Sequence, residues 1–266
     1  MEKRVFFARE GLSDLDFALE ISPLHAMLLL PGPRTFVLDV KSRDEHVKEL
    51  SAAAENNWLL KQYGPLWENL IPNTSFIWKG QSYKDLVGDL AFNRIVASHV
   101  IEHIPDVISW LNWIHEILLP GGQLRLFVPD MRFTWDHNRT PTRLLDILDN
   151  HLERRDRPSW GMILEQILYS PRAKSAQELL NASFTPQQRS LENTFDPSLI
   201  MRAYAEIVRM KNISKYVDAH VSKWHQKSFK SHFNCLYLMK LTRMKLVYTS
   251  RQHGHATEFS AIFERD

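Results

Sequence analysis

The sequence is poor in glycine and cysteine, and it has no long apolar run. Only 9 of its 266 residues are glycine, half the usual ~7%, which argues against a protein built on repeated glycine-rich phosphate loops. The single cysteine, Cys235, excludes an internal disulfide and a cysteine-rich zinc site, and it predicts a reducing, cytoplasmic setting. No stretch reaches the ~18 apolar residues of a membrane span, and no signal-like apolar core follows the first residues.

The proportions of hydrophobic and charged residues are ordinary for a folded soluble chain, but the charge is unevenly distributed along the sequence. Hydrophobic residues make up 44% and charged residues 24%, with a net charge of +2. Residues 211–253 hold nine Lys and Arg against one acid, Asp218, a local charge of +8. Such a segment attracts phosphorylated ligands, acidic glycans or nucleic acid, or is simply a solvated helix surface. No recognised nucleic-acid motif occurs, so we do not interpret it as a nucleic-acid interface.

Short apolar runs alternate with helical patterns along the first half of the chain, which predicts βαβ units and a parallel sheet. A helix is predicted over 105–119, with Pro105 at its first position and Pro120-Gly121-Gly122 ending it. A second helical pattern covers 44–63, and a third covers 226–241. The predicted strands are 17–21, 35–40, 75–78, 94–98, 123–128, 243–251 and 257–263, the last two joined as an antiparallel hairpin by a turn around His253-Gly254-His255.

The pattern becomes helical from about residue 130 to 215, with prolines between the helical stretches. We therefore divide the chain into a core, residues 1–139 and 216–266, and a helical insertion, residues 140–215. The insertion is expected to cover the site where an acceptor binds.

Ligands of open α/β sheets bind beyond the carboxyl ends of the strands, so the residues that follow each predicted strand are the candidates. Asp39 closes the second strand, 19 residues after Glu20. A carboxylate at that place can accept hydrogen bonds from both hydroxyls of a ribose, although an Asp after a strand is also a common turn former or helix cap.

Two motifs carry a family resemblance. Residues 97–106 read Ala-Ser-His-Val-Ile-Glu-His-Ile-Pro-Asp, and a Leu-Leu-Pro-Gly-Gly run at 118–122 leads into the next strand. Together they resemble the fourth and fifth motifs of class I S-adenosylmethionine-dependent methyltransferases, and among these the group called methyltransferase type 11. Residues 129–139, with Asp218-Ala219-His220 and Glu258-Phe259, are similar to a branch associated with polysaccharide and glycan biosynthesis.

The resemblance implies a Rossmann-like sheet of seven strands and S-adenosylmethionine as cofactor. It also implies an architectural role for Glu102-His103. The implied cofactor contacts are Glu20, Ser22 and Pro23 around the methionine part, Asp39 on the ribose, Gly80, Gln81 and Ser82 beside the adenine, and Ser98 and His99 beside the methionine carboxylate and the transferable methyl group.

The first motif of the family corresponds to the segment from Glu20 to Pro23, and it departs from the family pattern. Ser22 stands where a glycine is expected, and the next glycine is Gly32. Only the 13 residues 22–34 separate the first two strands, which predicts a very short crossover helix. The departure leaves open a relative that keeps the fold without the activity.

Methyl transfer to a sugar hydroxyl needs a base, and histidine is the natural one near neutral pH. The candidates are His99, His103, His137 and His220, with His220 favoured and Asp218 as its orienting partner; the alternative is a structural histidine. No spacing of the histidines predicts a metal site.

Arginine side chains bind phosphate and carboxylate groups in a bidentate manner. Arg132 and Arg139, with Asp136, are therefore the candidates for binding an anionic acceptor. The alternative is a salt bridge from either arginine to Asp130 or Asp136.

The predicted activity is O-methylation of a sugar or glycan intermediate. The alternatives are a non-catalytic binding or scaffold protein, a methyltransferase for a small metabolite or lipid head group, and a nucleic-acid enzyme that uses the basic segment.

Overall fold

A seven-stranded sheet organises the chain in the computed structural model, which describes residues 2–53, 57–169, 197–213, 216–250 and 257–266. The strand order is β3-β2-β1-β4-β5-β7-β6. Six strands run parallel, and β7 is antiparallel to both β5 and β6, so the predicted α/β fold class is confirmed. The strands are β1 (Ala18–Ile21), β2 (Thr35–Asp39), β3 (Phe76–Ile77), β4 (Phe92–Ser98), β5 (Leu118–Pro129), β6 (Met244–Thr249) and β7 (Glu258–Arg265).

Helices flank the sheet and also form the described part of the insertion. The predicted helix over 44–63 is two helices instead, because Asn57 begins the second one by accepting a hydrogen bond from the Leu60 N–H at 3.0 Å. The helices are α1 (Glu2–Arg9), α2 (Arg43–Ala52), α3 (Trp58–Tyr63), α4 (Tyr83–Val87), α5 (Val107–Ile117), α6 (Leu144–Leu152), α7 (Trp160–Tyr169), α8 (Pro197–Asn212) and α9 (Gln226–Leu238).

Alternation along the strands separates the two faces of the sheet. On one face, Leu19, Ile95 and Leu124 belong to the main hydrophobic core, which also contains the apolar sides of α5 and α9. On the other face, Val96 and Phe127 belong to a smaller cluster with the residues of α1.

The connector between β1 and β2, residues 22–34, contains turns and no helix, which corrects the expected short crossover helix. Its Leu28 and Leu29 pack on the smaller cluster beside Ala8 of α1. The amino-terminal helix therefore covers part of the sheet face that a crossover helix covers in a regular βαβ unit.

The Pro120-Gly121-Gly122 run lies inside β5, although we predicted that it precedes the strand. Gly121 has a φ of +71°, and the pairing of β4 with β5 shifts register between Phe92 and Arg94. A Cβ on Gly122 would lie 2.7 Å from the Leu119 carbonyl oxygen, so the close backbone approach at this bulge requires glycine.

Helices α6, α7 and α8 lie within residues 140–215, the range predicted as a helical insertion. Helices α7 and α8 pack together through Ile163 and Ile207, and the cluster includes Ala219 of the returning chain. Residues 170–196 and 214–215 of the insertion, and the predicted turn at 253–255, lie outside the described residues. None of the described helices has the length and apolarity needed to cross a membrane.

Candidate active site

The carboxyl ends of β1, β2 and β4 lie at one edge of the sheet, where most of the predicted cofactor-binding residues are found. The N–H of Ser22 donates to the Leu38 carbonyl of β2 at 2.8 Å, and its φ is +49°, a conformation that glycine adopts at lower cost. Pro23 is buried, and its carbonyl accepts from the Ala26 N–H at 3.0 Å. Ser22 thus adopts a backbone conformation that favours glycine, the residue that the family pattern has at this position.

Glu20 lies under the connector rather than at the open edge of the sheet. It is 1% exposed, and its carboxylate accepts from the N–H groups of Leu28 and Leu29 at 2.9 to 3.0 Å. Burial raises the pKa of Glu20 to about 7, against the opposing effects of these N–H groups and of Arg9 and Arg4. The carboxyl group therefore holds the connector against β1.

We expect Glu20 to make the free energy of unfolding depend on pH. Its pKa rises from 4.5 to about 7 on folding, so the folded state binds the proton more tightly. The resulting stability is fully present below the unfolded pKa and is lost as pH rises through the folded pKa, about 3 kcal/mol in all. Chemical denaturation of the wild type and Glu20→Gln at about pH 5 and about pH 8 measures it, because the variant lacks this ionisation.

The exposed carboxylate Glu153 provides the matched control, Glu153→Gln, which should keep the wild-type pH dependence. Wild type and Glu20→Gln with parallel stability curves over this range would contradict the prediction.

Asp39 ends β2 and is 4% exposed. Its Oδ1 accepts from the N–H groups of Val40 at 2.7 Å and Lys41 at 3.2 Å, and His46 Nε2 lies 3.1 Å from the same atom. Within the described residues, Oδ2 carries no hydrogen bond. The carboxylate is therefore held rigidly through one oxygen.

The segment after β3 supplies the next predicted contacts. Gly80 has a φ of +105°, and a Cβ built there would meet no atom within 4 Å. Its neighbour Gln81 uses its backbone carbonyl to accept from Trp78 Nε1 at 2.6 Å. Ser82 caps α4 by accepting from the Asp85 N–H at 3.1 Å. The segment leaves open space beside Gly80 at the same edge of the sheet as Asp39.

Ser98 ends β4, His99 follows it, and both are bonded to distant parts of the chain. Arg4 of α1 donates to Ser98 Oγ, and Arg4 Nε lies 2.9 Å from Glu258 Oε1. His99 is exposed, has a φ of +54°, and its Nε2 lies 2.8 Å from Glu258 Oε2. Arg4 and Glu258 therefore hold the position where the fourth motif meets the end of β5.

Two histidines far apart in the sequence face each other beside this position. The rings of His103 and His220 are 4.7 Å apart between centroids and nearly perpendicular. His103 Nδ1 donates to Asp218 Oδ1 at 2.9 Å, and His220 Nδ1 donates to Asp136 Oδ2 at 2.5 Å. Asp218 therefore pairs with His103, whereas we had expected it to orient His220. Residues two apart in extended backbone stand about 6.6 Å apart, so each finds its own partner.

Charge favours the ionised forms of the carboxylates in these pairs. Burial acts to raise the pKa of Asp136, but the hydrogen bond from His220 and the charge of Arg139 outweigh it and lower the pKa. Burial acts against the charged form of His103, but the hydrogen bond to Asp218 and the charge of Glu102 outweigh it and raise the pKa of His103. Both imidazoles are therefore oriented by a carboxylate through Nδ1.

Arg139 lies beneath the His220 pair, and its side chain is fully buried. Its guanidinium donates to Asp136 at 2.8 Å, to Glu165 of α7 at 3.0 Å and to the His220 carbonyl at 2.9 Å. Lys223 Nζ also donates to Glu165, at 2.8 Å. The salt bridge that we weighed as the alternative for Arg139 is the arrangement present, and it leaves no exposed surface for an acceptor.

Arg132 differs in exposure from Arg139. Two N–H groups of its guanidinium donate to the buried Asp130 at 2.9 and 2.7 Å, while about half of the side chain is exposed. The fourth histidine candidate, His137, has its Nδ1 3.0 Å from the Thr134 carbonyl. Of the predicted acceptor-binding residues, Arg132 is the cation that reaches the surface.

Sequence reasoning missed several residues of this edge: Arg4, Glu165, Gln166 and Lys223. Gln166 of α7 accepts from the His220 N–H at 2.8 Å, so the insertion contacts the site directly. Neither α1 nor α7 carries a motif that relates its polar residues to β4, and only the fold brings them there. A cavity of about 370 Å³ lies elsewhere, at the opposite ends of β4 and β5 beside Arg94 and Gly122.

A family model described as a methyltransferase domain matches residues 32–183, more than half of the chain. Comparison with curated proteins finds none that matches.

Among solved structures, a Rhodobacter sphaeroides protein assigned as a zinc-dependent alcohol dehydrogenase is 10% identical, covers 100% of this chain and 90% of its own, and has a TM-score of 0.47. The N-methyltransferase NodS from Bradyrhizobium japonicum, in complex with S-adenosyl-L-homocysteine, is 10% identical over 99% of this chain and 84% of its own, with a TM-score of 0.38. A SAM-dependent methyltransferase structure from Methanosarcina mazei is 14% identical, over 96% and 94%, with a TM-score of 0.43.

Proposed function

The chain belongs to the methyltransferase-domain family, and from that membership we propose that it transfers the methyl group of S-adenosylmethionine to a hydroxyl group of a sugar or glycan. The methyltransferase predicted from the sequence is thereby confirmed, and the hydroxyl acceptor is the proposal. The observation that carries it is the Asp136–His220 pair, at 2.5 Å, beside the fourth motif at the edge of the sheet. A carboxylate-oriented imidazole is the group that an unactivated hydroxyl requires.

The residues at this edge fit the cofactor. Asp39 presents Oδ2 while its other oxygen is anchored, so it can accept from ribose hydroxyls without moving. Open space lies beside Gly80, where the resemblance implies the adenine contact of Gly80, Gln81 and Ser82. We assign the backbone of Ser22 and Pro23 to the methionine part, and Glu20 holds the connector that they begin through the N–H groups of Leu28 and Leu29.

When bound, S-adenosylmethionine supplies a methyl group made electrophilic by a positively charged sulfur. His220 Nε2 takes the proton from the hydroxyl group that is methylated, because Nδ1 of the same ring is bonded to Asp136. The resulting imidazolium is stabilised by that buried carboxylate, because Asp136 is 2% exposed and keeps a lowered pKa. Arg139 holds Asp136 in place and lies too deep to contact the acceptor.

We assign Ser98 and His99 to the methionine end of the cofactor, beside the transferable methyl group. His99 is exposed beside the end of β4 and held by Glu258, where it can orient the methionine end of the cofactor or the acceptor. Arg132 is the residue that we assign to an anionic acceptor, because its guanidinium is half exposed. The insertion, through Gln166 of α7, forms one wall of the acceptor site. A cytoplasmic setting, predicted from the single cysteine, completes the proposal.

Calorimetry with S-adenosylmethionine tests the cofactor. We expect binding in the micromolar range and about a 10- to 100-fold weaker affinity for Asp39→Asn, from the loss of a hydrogen bond to a charged acceptor. The substitution leaves Oδ1 for Val40 and Lys41 and replaces Oδ2 by an amide. Asp44→Asn, at an exposed site on α2, is the matched control and should bind like the wild type. No heat at millimolar cofactor would overturn the proposal.

A non-catalytic relative is the second candidate, favoured by one observation. Ser22 holds a left-handed φ of +49° at the glycine position, and its side chain stands where backbone approaches the cofactor. Calorimetry separates the two, because this candidate requires no binding. An acceptor screen with sugars, small metabolites and RNA then assigns the acceptor, and turnover confined to compounds without a sugar would overturn the glycan assignment.

A further inference from the structure

One buried carboxylate at the candidate active site has no hydrogen bond. Glu102 is fully buried, and among the described residues neither Oε1 nor Oε2 has a hydrogen-bond partner. Burying a carboxylate without hydrogen bonds costs several kcal/mol. The nearest imidazole nitrogens, of His99 and His103, lie 3.6 and 3.8 Å from Oε1, beyond hydrogen-bond distance, so a cation bound directly to the carboxylate would compensate its burial. Its backbone carbonyl, by contrast, is satisfied by the N–H groups of Val221 and Ser222 at 2.7 and 3.0 Å.

Three imidazoles stand around this carboxylate. His99 Nδ1 lies 3.6 Å from Glu102 Oε1, but its ring is held by Glu258 through Nε2, and the other two imidazoles are those of His103 and His220. His103 Nε2 lies 3.8 Å from Glu102 Oε1, and one ligand atom from each of Glu102, His103 and His220 can be chosen so that all three lie within 4.8 Å of one another. Ligand atoms of a tetrahedral zinc ion lie roughly 3.4 Å from one another, so side-chain shifts on the order of 1 Å would bring the three ligand atoms within bonding distance of one ion.

The partners of the two imidazoles are those of metal-bound histidines. His103 Nδ1 donates to Asp218 and His220 Nδ1 donates to Asp136, which leaves Nε2 of each neutral ring with its lone pair. Carboxylates that bond the remote ring nitrogen fix the tautomer and make Nε2 a better ligand. Both pairs are of this kind.

We propose that Glu102, His103 and His220 bind a divalent transition-metal ion of the zinc class. Two imidazole nitrogens and one carboxylate suit zinc and its neighbours, and disfavour magnesium and calcium, which take oxygen ligands. The His103 and His220 side chains are 30% and 22% exposed, so a fourth position is open to water or to an acceptor oxygen. The arrangement of three protein ligands and one open position is typical of catalytic rather than structural zinc sites.

The sequence did not predict this site because its ligands are not spaced as a motif. Glu102 and His103 are adjacent in the turn after β4, and His220 follows the insertion more than a hundred residues later. The proposal goes beyond the proposed function and does not depend on it. An ion here would take Nε2 of His220 as a ligand, so the base role of His220 applies to the metal-free protein.

Metal titration of the full chain, stripped with chelator, tests the site without donor or acceptor. We expect one Zn²⁺ per chain by calorimetry, and visible absorption bands of low-symmetry Co²⁺ on substitution. Asp136→Asn and Asp218→Asn should each weaken Zn²⁺ binding about 10- to 100-fold, and His103→Asn and His220→Asn should weaken it at least as much. Zn²⁺ should also raise the thermal midpoint of the wild type and not that of His103→Asn.

His225→Asn is the matched control, because His225 caps α9 and asparagine is a good helix cap. It should bind Zn²⁺ like the wild type. A wild type that binds no Zn²⁺, or a His103→Asn variant that binds it with wild-type affinity, would overturn the proposal. Because none of these readouts involves methyl transfer, failure here leaves the cofactor calorimetry unaffected, and the reverse also holds.

Discussion

His220→Asn is expected to lower kcat by about 10²- to 10⁴-fold, the range that positioned general bases contribute. Asparagine keeps a polar side chain near Asp136 but offers no basic nitrogen to the acceptor. The affinity for S-adenosylmethionine should stay at the wild-type value, since His220 is not among the residues assigned to it, which lie at the ends of β1, β2 and β4 and in the segment after β3. Steady-state kinetics on the acceptor found by screening, with cofactor calorimetry on the same preparation, measures both.

The control for this prediction is again His225→Asn, which makes the same chemical change at a helix cap. A wild-type kcat in His220→Asn would contradict the base assignment. So would a change confined to KM, because a residue that acts only in binding moves KM while kcat stays constant.

Arg139→Met is expected to lower the free energy of unfolding by about 3 to 5 kcal/mol, the cost of removing one partner from a buried ion pair. Methionine fills part of the volume but leaves Asp136 and Glu165 without the N–H groups that reach them at 2.8 and 3.0 Å. The His220 carbonyl loses its donor as well. Urea denaturation at neutral pH measures the change.

The matched control is Arg209→Met on α8. Arg209 pairs with Glu206 three residues earlier, the same spacing as Asp136 and Arg139, but its side chain is 64% exposed. Exposed pairs contribute little, so the control should leave stability nearly unchanged. Equal losses in the two variants would show that burial of Arg139 does not carry the effect.

The strand ends were the part of the site that the sequence could locate. Each strand is a short apolar run, and the residue after it necessarily lies at the edge of a parallel sheet. That reasoning placed Ser22, Asp39, Gly80 and Ser98 on one edge, where the structure has them. It could not say that Glu20 faces the connector, because this depends on which face of β1 the connector covers.

The pairing of the histidines could not be predicted, because it depends on how the chain returns after the insertion. Asp136 and His220 are 84 residues apart, and His103 and Asp218 are 115 apart. Spacing in the sequence favoured Asp218 as the partner of His220, since the two are close along the chain. The partner of His220 is Asp136, in the segment after β5, and the partner of Asp218 is His103, in the turn after β4.

The position of α1 has a consequence for the order in which the protein assembles. Its residues reach partners at increasing distances along the chain: the Ala8 carbonyl accepts from Arg94, the Phe7 carbonyl from Arg125, and Arg4 pairs with Glu258 of β7. Helix α1 therefore completes these contacts only once β7 has been synthesised. A nascent chain in which α1 has not docked would leave the apolar side chains of Val96 and Phe127 on that sheet face open to water, to chaperones or to aggregation.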